Sequence, residues 1–397
     1  MEIIEKGIPI VIFGAGIVGE VLFHICRDNG IVVDVFCDNN TAKAKSFLCG
    51  LEIVSVSELK TRYKDAIFLM AAADIKDAVE QLNVLGYSKW YPSSLLLRDF
   101  DASQYQFSVS AEFVEFAVST CLLCHDSYMD SDKLFLRSAD IIITERCSLK
   151  CKDCSNLMQY YKEPKDCDID IITRSIDALC SLADEINEFR VIGGEPFMNK
   201  EIHLVIKKLV GESKVRKIVI YTNGTIVPGE EYVQCLKDDK VLFIITDYGP
   251  LSRKIDALVK VLRENNIAYH TLKVDGWADC SGIIKHNRDA DQQRSVFRNC
   301  CAKNLITLSD GKLFRCPYAA NAHRLAAIPD CESDYINILN GSIGVTDISE
   351  MRNRVKDYLL RKEYLEACDY CNGRPYDAVL DITPAIQTKK SLEYKKI

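Results

Sequence analysis

Three cysteines lie within eight residues of one another near the middle of the chain. Cys147, Cys151 and Cys154 have the spacing CxxxCxxC and follow directly on a predicted strand at 139–144. Three thiolates on one loop can bind three irons of a cubane cluster, whereas zinc sites and ferredoxin-type clusters normally take four protein ligands. The missing fourth ligand leaves an open coordination position at which a substrate or cofactor can bind the metal.

The next two predicted strands, at 188–194 and 216–222, end in glycines and polar side chains. These residues are Gly193, Gly194, Glu195 and Pro196 after the first strand, and Thr222 and Asn223 after the second. Glycines let a ligand approach the backbone closely, and a carboxylate pairs with an ammonium group. Both motifs fall at the strand edge that carries the cysteine loop, so we expect one site there.

The three motifs resemble, in the same order, those of the radical S-adenosylmethionine (SAM) enzymes. In that family the three cysteines hold a 4Fe–4S cluster, SAM chelates its open iron, and SAM cleavage yields a 5′-deoxyadenosyl radical that abstracts a substrate hydrogen. The resemblance implies that the GGEP motif binds the methionyl ammonium and that Thr222 and Asn223 reach polar groups of SAM. Asp153 replaces the aromatic residue common before the last cysteine, so Tyr160 or Tyr161 become the alternatives for adenine contact.

A second group of cysteines lies in the C-terminal third. Cys301 and Cys316 flank a predicted hairpin, and Cys368 and Cys371 form a CxxC. Four such thiolates suit a fully ligated iron–sulfur cluster or a four-cysteine zinc site. The pattern is similar to the twitch domain, the shorter relative of SPASM domains, which implies an auxiliary 4Fe–4S cluster; Cys300 is the alternative to Cys301.

A glycine-rich turn lies near the N-terminus. Gly14, Gly16 and Gly19 separate a predicted strand from a helix, and Asp38 ends the second strand. This pattern is the dinucleotide fingerprint, with phosphate at the helix N-terminus and the acid at the ribose. The stretch also resembles the small nucleotide-sugar-binding domains in front of sugar acetyltransferases and other glycan-modifying enzymes. We expect a nucleotide or nucleotide-sugar site, and the alternative is a Rossmann-like unit that only packs.

The alternation of strands and helices predicts an α/β protein with several domains. We expect an N-terminal Rossmann-like parallel sheet, a partial (β/α)6 radical SAM barrel and a small C-terminal twitch domain. The predicted domains are 1–97 for nucleotide binding, 98–137 for a helical connector, 138–285 for the barrel, 286–375 for the auxiliary cluster and 376–397 for a tail.

A cysteine pair on the connector helix and the C-terminal tail each have two interpretations. Cys121 and Cys124 share a face of the connector helix, but a buried helix is favoured there over a metal site. We expect the tail to be solvated, with Lys389 and Lys390 near an anionic phosphate as the alternative.

Composition restricts the partners and the compartment. The net charge of −7 without a basic block argues against nucleic acid, and no apolar run reaches the length of a membrane span. The 18 cysteines, without a signal-peptide cleavage region, indicate metal and redox chemistry rather than disulfides. We therefore expect a cytoplasmic protein.

The motifs together predict a radical SAM enzyme acting on a sugar, expected to be nucleotide-linked, in glycan or polysaccharide biosynthesis. Oxidation of a carbinol, with the auxiliary cluster taking an electron, follows the precedent of the twitch-bearing aminocyclitol dehydrogenases. Epimerisation is the competitor and needs a hydrogen donor such as Cys280. Asp247 and Tyr248, after the fourth barrel strand, are candidates for hydroxyl deprotonation or substrate contact.

Partners and alternatives complete the sequence-based expectations. We expect a small carbohydrate substrate and a low-potential electron donor such as flavodoxin or ferredoxin. His286, Arg288 and Arg298 are further residues that could face the site. A peptide-modifying maturase and a two-cluster electron carrier or sensor are the alternative functions.

Overall fold

The computed structural model describes residues 7–339 and 347–395 and divides into two compact units, residues 1–133 and 134–397. Each unit contains a largely parallel sheet with helices between the strands, which confirms the predicted mixed α/β class. The expected boundary at 97 is too early. The connector helix contributes Val114 and Val118 to the same core as Ile10 and Ile12, so it belongs to the first unit.

The first unit alternates short buried strands with helices. Its strands are β1 (Ile10–Phe13), β2 (Val35–Asp38), β3 (Phe47–Leu48), β4 (Leu51–Ser55), β5 (Ile67–Met70) and β6 (Trp90–Pro92). Its helices are α1 (Ile17–Asp28), α2 (Val56–Arg62), α3 (Ile75–Val84), α4 (Ser94–Leu97) and α5 (Ala111–Met129).

The strand order of this sheet is β3-β4-β2-β1-β5-β6, and all pairs are parallel except β3 with β4. The continuous apolar runs of β1 and β5 are buried on both faces, as expected for a sheet covered by helices. The antiparallel edge hairpin β3–β4 was not predicted from the sequence, because its first strand is only two residues long.

The second unit repeats the strand–helix alternation on a larger scale. Its strands are β7 (Phe135–Leu136), β8 (Ala139–Thr144), β9 (Glu185–Gly193), β10 (Val215–Thr222), β11 (Val241–Asp247), β12 (Ala268–Lys273), β13 (Ile306–Ser309), β14 (Lys312–Phe314) and β15 (Tyr335–Asn337). Its helices are α6 (Ile169–Leu182), α7 (Ile202–Gly211), α8 (Glu230–Leu236), α9 (Ile255–Glu264), α10 (Ala290–Asn299), α11 (Pro317–Arg324) and α12 (Ile348–Arg361).

Strands β8 to β12 lie side by side in chain order, all parallel, with a helix between each pair from β8 to β12. This succession agrees with the five strand–helix repeats expected from the sequence. Parallel strands present their carboxyl ends at one edge, so the loops after β8, β9, β10 and β11 meet there.

Strand β13 extends the sheet by pairing in parallel with β8, and β14 turns back on it. The turn residues Asp310 and Gly311 have φ values of +51° and +77°, the left-handed conformation of a tight hairpin. The predicted hairpin is therefore confirmed. None of the helices in the described ranges combines the length and apolar character needed to cross a membrane.

Candidate active site

The cysteine loop that follows β8 is packed tightly against the end of β9. A Cβ atom at Gly193 would lie 2.3 Å from the carbonyl oxygen of Thr144, and one at Gly194 would lie 2.1 Å from that of Arg146. The backbone N–H groups of Gly194 and Glu195 donate to these same two carbonyls, each at 2.9 Å. The glycines therefore let the two loops join, because any side chain there would collide with the cysteine loop.

The Glu195 side chain connects β9 with β10. Its carboxylate is fully buried and accepts hydrogen bonds from the Thr222 hydroxyl, at 2.9 and 3.0 Å, and from the Asn223 N–H, at 2.9 Å. Burial raises the pKa of Glu195 to about 7, although these hydrogen bonds lower it. A cavity lies beside the cysteine loop and is lined by Gly193, Gly194, Thr222 and Asn223. Glu195 and Pro196 lie outside its lining. The carboxylate thus braces the end of β10, and its pairing with an ammonium stays a prediction.

Asn223 faces the first cysteine. Its Nδ2 donates to the Ser148 hydroxyl at 3.2 Å and approaches the Cys147 sulfur at 3.8 Å. The Ser148 hydroxyl in turn hydrogen-bonds that of Thr225 at 2.5 Å. This network holds the cysteine loop to the end of β10.

The cavity beside the cysteine loop, called the main cavity below because two groups of cysteines line it, has a volume of about 390 Å³. The first group consists of Cys147, Cys151 and Cys154, and the second consists of Cys300, Cys316, Cys368 and Cys371. The two groups are separated by at least 146 positions in the sequence, and folding brings both to one cavity.

The fourth member of the second group is Cys300 rather than Cys301. Burial raises the pKa of Cys316, Cys368 and Cys371, and the negative charge of a Cys300 thiolate raises all three further. Cys301 is outside the cavity lining, and its backbone N–H donates to the Arg374 carbonyl at 2.8 Å. Of the predicted ligand Cys301 and its alternative Cys300, only Cys300 lines the cavity, because the bend after α10 turns that thiol toward it.

Arg288 holds the CxxC segment. Its guanidinium donates to the carbonyl oxygens of Cys368, at 2.6 Å, and Cys371, at 2.7 Å, while its backbone N–H donates to the Asp369 carboxylate. His286 also contacts this segment through a backbone hydrogen bond to Asp369. Of the three basic residues considered from the sequence, Arg288 thus has a defined role, as a brace for the second cysteine group. Arg298 contributes its carbonyl oxygen to the Lys303 ammonium.

Cys280 lies between the two cysteine groups. It is 8% exposed and lines the main cavity. Its charge raises the pKa of Cys154 in the first group and of Cys371 in the second, after the larger effect of burial on each. The position agrees with the expectation that a thiol after the fifth strand lies near the mouth of the sheet.

The cavity also has a charged wall that sequence analysis missed. Asp140 on β8 forms an ion pair with Arg190 on β9, and the Arg190 guanidinium lies 5.5 Å from the ring centre of Tyr221. Burial raises the pKa of Asp140, and Arg190 opposes that rise. All three residues line the cavity. A charged residue inside the otherwise largely apolar strand β8 was the signal that could have identified Asp140.

The two candidates after β11 have different positions. Tyr248 lines the cavity and packs edge-on against Trp277, with ring centres 5.8 Å apart. Burial raises the pKa of Tyr248, and the neighbouring cysteine charges raise it further, so its hydroxyl stays protonated. Asp247 lies outside the cavity lining and accepts from the Gly249 N–H at 2.8 Å. It is a turn residue, and its predicted role in the site is not supported.

The expected adenine contacts also lie elsewhere. The Tyr160 hydroxyl donates to the Ser281 carbonyl at 3.1 Å, and Tyr160 and Tyr161 line a separate cavity with Arg324 and Tyr394. Asp153 has Lys152 as a neighbour at 4.0 Å.

The C-terminal segment 382–394 runs along the cysteine loop instead of being solvated. The backbone N–H groups of Lys152 and Thr388 donate to the carbonyls of Ile386 and Lys150, at 2.7 and 2.9 Å. The Gln387 side chain donates to the Leu149 carbonyl at 2.6 Å. Lys389 and Lys390 on this segment are exposed. The tail therefore covers the outer side of the loop that carries the first cysteine group.

In the first unit, the predicted glycines form the turn between β1 and α1. Gly14 has a φ of +117°, and a Cβ atom at Gly19 would lie 2.1 Å from the Gly14 carbonyl oxygen. At Gly16, by contrast, an added Cβ would meet nothing within 4 Å. The Asp38 carboxylate accepts from the Ala15 N–H at 2.8 Å and from the Asn40 N–H at 2.8 Å. The expected ribose ligand is thus engaged by the loop itself.

Lys43 adds a cation to this turn. Its ammonium donates to the Asp38 carboxylate at 3.0 Å and to the Ala15 carbonyl at 3.1 Å. Lys43 was not among the predicted site residues, because a lysine five residues after a strand has no motif of its own.

Cys121 and Cys124 are buried on α5, as the favoured interpretation expected. The Cys121 sulfur lies 3.4 Å from Nε2 of His125, which also contacts the Ala72 carbonyl at 2.9 Å. Cys121 belongs to the apolar core of the first unit.

Comparison with protein-family models identifies the region that contains the first cysteine group. Residues 141–264 match the model of the radical SAM superfamily. This segment is a radical SAM domain. The match includes the CxxxCxxC loop, the GGEP motif and the residues after β10, so the resemblance inferred from these motifs is confirmed for this part of the chain.

Curated relatives match parts of the chain. A GTP 3′,8-cyclase of Stenotrophomonas maltophilia (strain R551-3) is 31% identical over 87 residues, which cover 22% of this chain and 26% of the relative. A GTP 3′,8-cyclase of Clostridium acetobutylicum is 30% identical over 141 residues, which cover 35% of this chain and 42% of the relative. The chain therefore spans only about a quarter to two fifths of the length of these relatives.

Solved structures of similar proteins include BtrN in complex with AdoMet and 2-DOIA, with 16% identity, a TM-score of 0.37, and coverage of 65% of this chain and 98% of that chain. They also include Streptococcus suis SuiB bound to S-adenosylmethionine, with 12% identity, a TM-score of 0.30, and coverage of 56% of this chain and 47% of that chain.

A radical SAM domain implies a 4Fe–4S cluster and SAM, and the residues present fit both. Cys147, Cys151 and Cys154 all line the main cavity, so their sulfurs can share one cluster with room beside it for a ligand. Burial raises the pKa of Cys151 to about 12 and that of Cys154 to about 11. Burial therefore favours the neutral thiols, and the positive charge of bound iron would stabilise the thiolates.

Proposed function

We propose that the chain is a radical SAM enzyme that removes a hydrogen atom from a carbohydrate linked to a nucleotide and oxidises a carbinol to a ketone. The observation that carries this proposal is the single cavity between two cysteine groups. When bound, the first cluster would supply the electron that cleaves SAM to methionine and a 5′-deoxyadenosyl radical.

The chain's own residues would hold SAM at the ends of β9 and β10. Gly193 and Gly194 offer backbone beside the cysteine loop, and Asn223 offers a side-chain amide. Glu195 would act through the residues that it braces, because its carboxylate is occupied by Thr222 and Asn223.

A polyhydroxylated substrate suits the charged wall of the cavity. Arg190 presents N–H donors and Asp140 a carboxylate, and such a pair can bind neighbouring hydroxyls. The raised pKa of Asp140 makes its carboxylate a better proton acceptor than an ordinary aspartate. We therefore propose Asp140, in place of Asp247, for hydroxyl deprotonation, and Tyr248 as a hydrogen-bond donor to the substrate.

Oxidation of a carbinol releases one hydrogen atom, one proton and one electron. In this proposal the hydrogen atom goes to the 5′-deoxyadenosyl radical and the proton to Asp140. Cys300, Cys316, Cys368 and Cys371 would hold the auxiliary 4Fe–4S cluster that receives the electron. In the competing outcome, epimerisation, Cys280 would return a hydrogen atom to the substrate radical, and an electron from the auxiliary cluster with a proton would restore its thiol.

The first unit would bind a nucleotide or a nucleotide sugar. An unobstructed Gly16 at the start of α1 and the ammonium of Lys43 beside the same loop suit an anionic diphosphate. The curated relatives are named GTP 3′,8-cyclases, so nucleotides themselves belong among the candidates.

The first test is anaerobic reconstitution followed by incubation with dithionite, SAM and a panel of nucleotide sugars, free aminocyclitols, GTP and peptides. We expect roughly eight irons per chain, falling to about four in a Cys147/Cys151/Cys154 triple alanine variant, which should make no 5′-deoxyadenosine. We also expect a nucleotide sugar to accelerate turnover and to lose two hydrogens.

Matched aspartate variants test the assignment of the base. Asp140→Asn should retain its iron and lower substrate oxidation about 100-fold, whereas Asp247→Asn should behave like wild type. Inversion of one stereocentre of the substrate without a change in its mass would favour epimerisation. If only a peptide accelerated turnover, the carbohydrate assignment would be refuted. If 5′-deoxyadenosine formed without iron, the proposal as a whole would be refuted.

A further inference from the structure

Three side chains that commonly bind metals converge in the first unit. Glu20 and His24 lie four residues apart on α1, and Cys49 lies in the turn of the β3–β4 hairpin. One ligand atom from each of the three lies within 4.8 Å of those of the other two. Positions four apart share one face of a helix, so α1 presents both of its side chains on the same side.

The packing of the hairpin turn fixes the position of the thiol. Leu48, Cys49 and Leu51 pack against the core cluster to which α1 contributes Val21 and Ile25. Cys49 has a φ of +50°, a conformation in which turns usually have Gly, Asn or Asp. The turn therefore holds Cys49 against α1, although its backbone conformation favours glycine, asparagine or aspartate at this position.

The imidazole is oriented by aromatic neighbours. The His24 ring stacks on Tyr105, with ring centres 5.6 Å apart, and meets Phe107 edge-on at 6.2 Å. Its Nδ1 is buried and has no hydrogen-bond partner within residues 7–339 and 347–395. These ring contacts hold the imidazole in one orientation, and its Nδ1 makes no hydrogen bond to the described residues.

Charge in the neighbourhood is compatible with a cation. Burial raises the pKa of Cys49, the Glu20 carboxylate raises it further, and Arg27 lowers it. The guanidinium of Arg27 pairs with Asp28 at 3.0 Å, which balances its charge. A cation between the carboxylate and the thiol would relieve their mutual repulsion.

We propose that Glu20, His24 and Cys49 bind a zinc ion that ties the β3–β4 hairpin to α1. A thiolate, an imidazole and a carboxylate are the ligand types that zinc accepts, and water completes a tetrahedral site. Calcium and magnesium prefer oxygen ligands alone, so this set does not suit them. The site is separate from the cysteines of the radical SAM domain and does not depend on its proposed reaction.

The test reads Cys49 directly in the full-length protein. Its iron–sulfur clusters are first reconstituted anaerobically so that the cluster cysteines are occupied. The protein is then alkylated with iodoacetamide at buffered free zinc concentrations, and labelling at each cysteine is measured by peptide mass mapping. At a free zinc concentration ten times the dissociation constant, alkylation of Cys49 should slow about tenfold.

Two ligand variants and an internal reference make the result specific. His24→Ala and Glu20→Gln should each weaken protection of Cys49 by zinc, while labelling of Cys235 should not respond to zinc. An unchanged zinc-free labelling rate shows that the hairpin remains packed in either variant. Equal labelling of wild-type Cys49 with and without zinc would overturn the proposal, as would full protection in both variants.

Discussion

At the scale of single residues, neighbouring side chains in the sequence have different environments. Cys300 and Cys301 follow α10 directly, yet only Cys300 lines the cavity with the other thiols. Asp247 and Tyr248 differ in the same way at the end of β11. Because backbone direction decides which side chain faces a site, adjacent residues offer natural matched pairs for substitution.

The first prediction uses the two cysteines. Cys300→Ser should lower the iron content by about four per chain, because a cubane cluster held by only three thiolates is more easily lost. Iron and acid-labile sulfide are measured after anaerobic reconstitution, together with the electron paramagnetic resonance spectrum of the reduced protein. Cys301→Ser is the control and should keep the wild-type content. Loss of iron in the Cys301 variant with retention in the Cys300 variant would reverse the assignment.

The second prediction concerns Glu195. Its pKa of about 7 in the folded protein exceeds the ordinary value, so the protonated form favours folding. This stabilisation is complete below about pH 4.5 and is lost as the pH rises through about 7, on the order of 3 kcal/mol in total. Glu195→Gln should therefore flatten the fall of Tm between pH 5.5 and 8, measured by anaerobic calorimetry.

The control for this measurement is Glu201→Gln, which changes an exposed carboxylate just beyond the same motif. It should leave the pH dependence of Tm as in wild type. Identical pH profiles for Glu195→Gln and wild type would show that the buried carboxylate does not titrate in this range.

At the scale of elements, the cysteine loop is held from two sides. The ends of β9 and β10 contact its inner side through Gly194 and Asn223. The segment 382–394 covers its outer side through backbone hydrogen bonds and through Gln387. A loop fixed in this way can place three thiols before any metal is bound.

The third prediction tests the outer contact. Gln387→Ala removes the hydrogen bond to the Leu149 carbonyl, and loss of about 1 kcal/mol should speed opening of the loop roughly fivefold. The rate at which EDTA removes iron from the first cluster, followed by visible absorbance, should rise by that factor. Lys389→Ala alters an exposed side chain on the same segment and should not change the rate. Equal rates in both variants would mean that the tail does not protect the cluster.

At the scale of the whole molecule, two compact units have separate cores and separate candidate sites. The radical SAM domain lies in the second unit, and the glycine turn lies in the first. If the first unit binds a nucleotide sugar, its variants should weaken nucleotide-sugar binding and leave the cysteine chemistry intact.

The fourth prediction follows from the open space at Gly16. Gly16→Ala adds a methyl group that meets no protein atom within 4 Å, so folding should be unaffected. The same methyl group would obstruct a phosphate approaching the start of α1, and the dissociation constant for a nucleotide sugar should rise at least about tenfold. Binding is measured by calorimetry, with Gly211→Ala as the control at another unobstructed glycine. Wild-type affinity in Gly16→Ala would place the nucleotide elsewhere.

The sequence by itself determined the features that depend on local spacing. The CxxxCxxC loop, the GGEP motif, the hairpin turn at Asp310 and Gly311, and the alternation of parallel strands with helices were all predicted, because each is encoded within a few consecutive residues. Periodic burial and turn preferences act over the same short range.

The tertiary structure decided which distant residues meet. In the folded chain Cys300 lines the main cavity, Glu195 contacts Thr222, and Asp140 pairs with Arg190. Helix α5 packs in the core of the first unit, and the C-terminal segment packs on the cysteine loop. These contacts join residues from about 30 to more than 200 positions apart, and no local pattern encodes them. Side-chain direction at a strand end depends on the packing of the neighbouring strand, which only the complete fold provides.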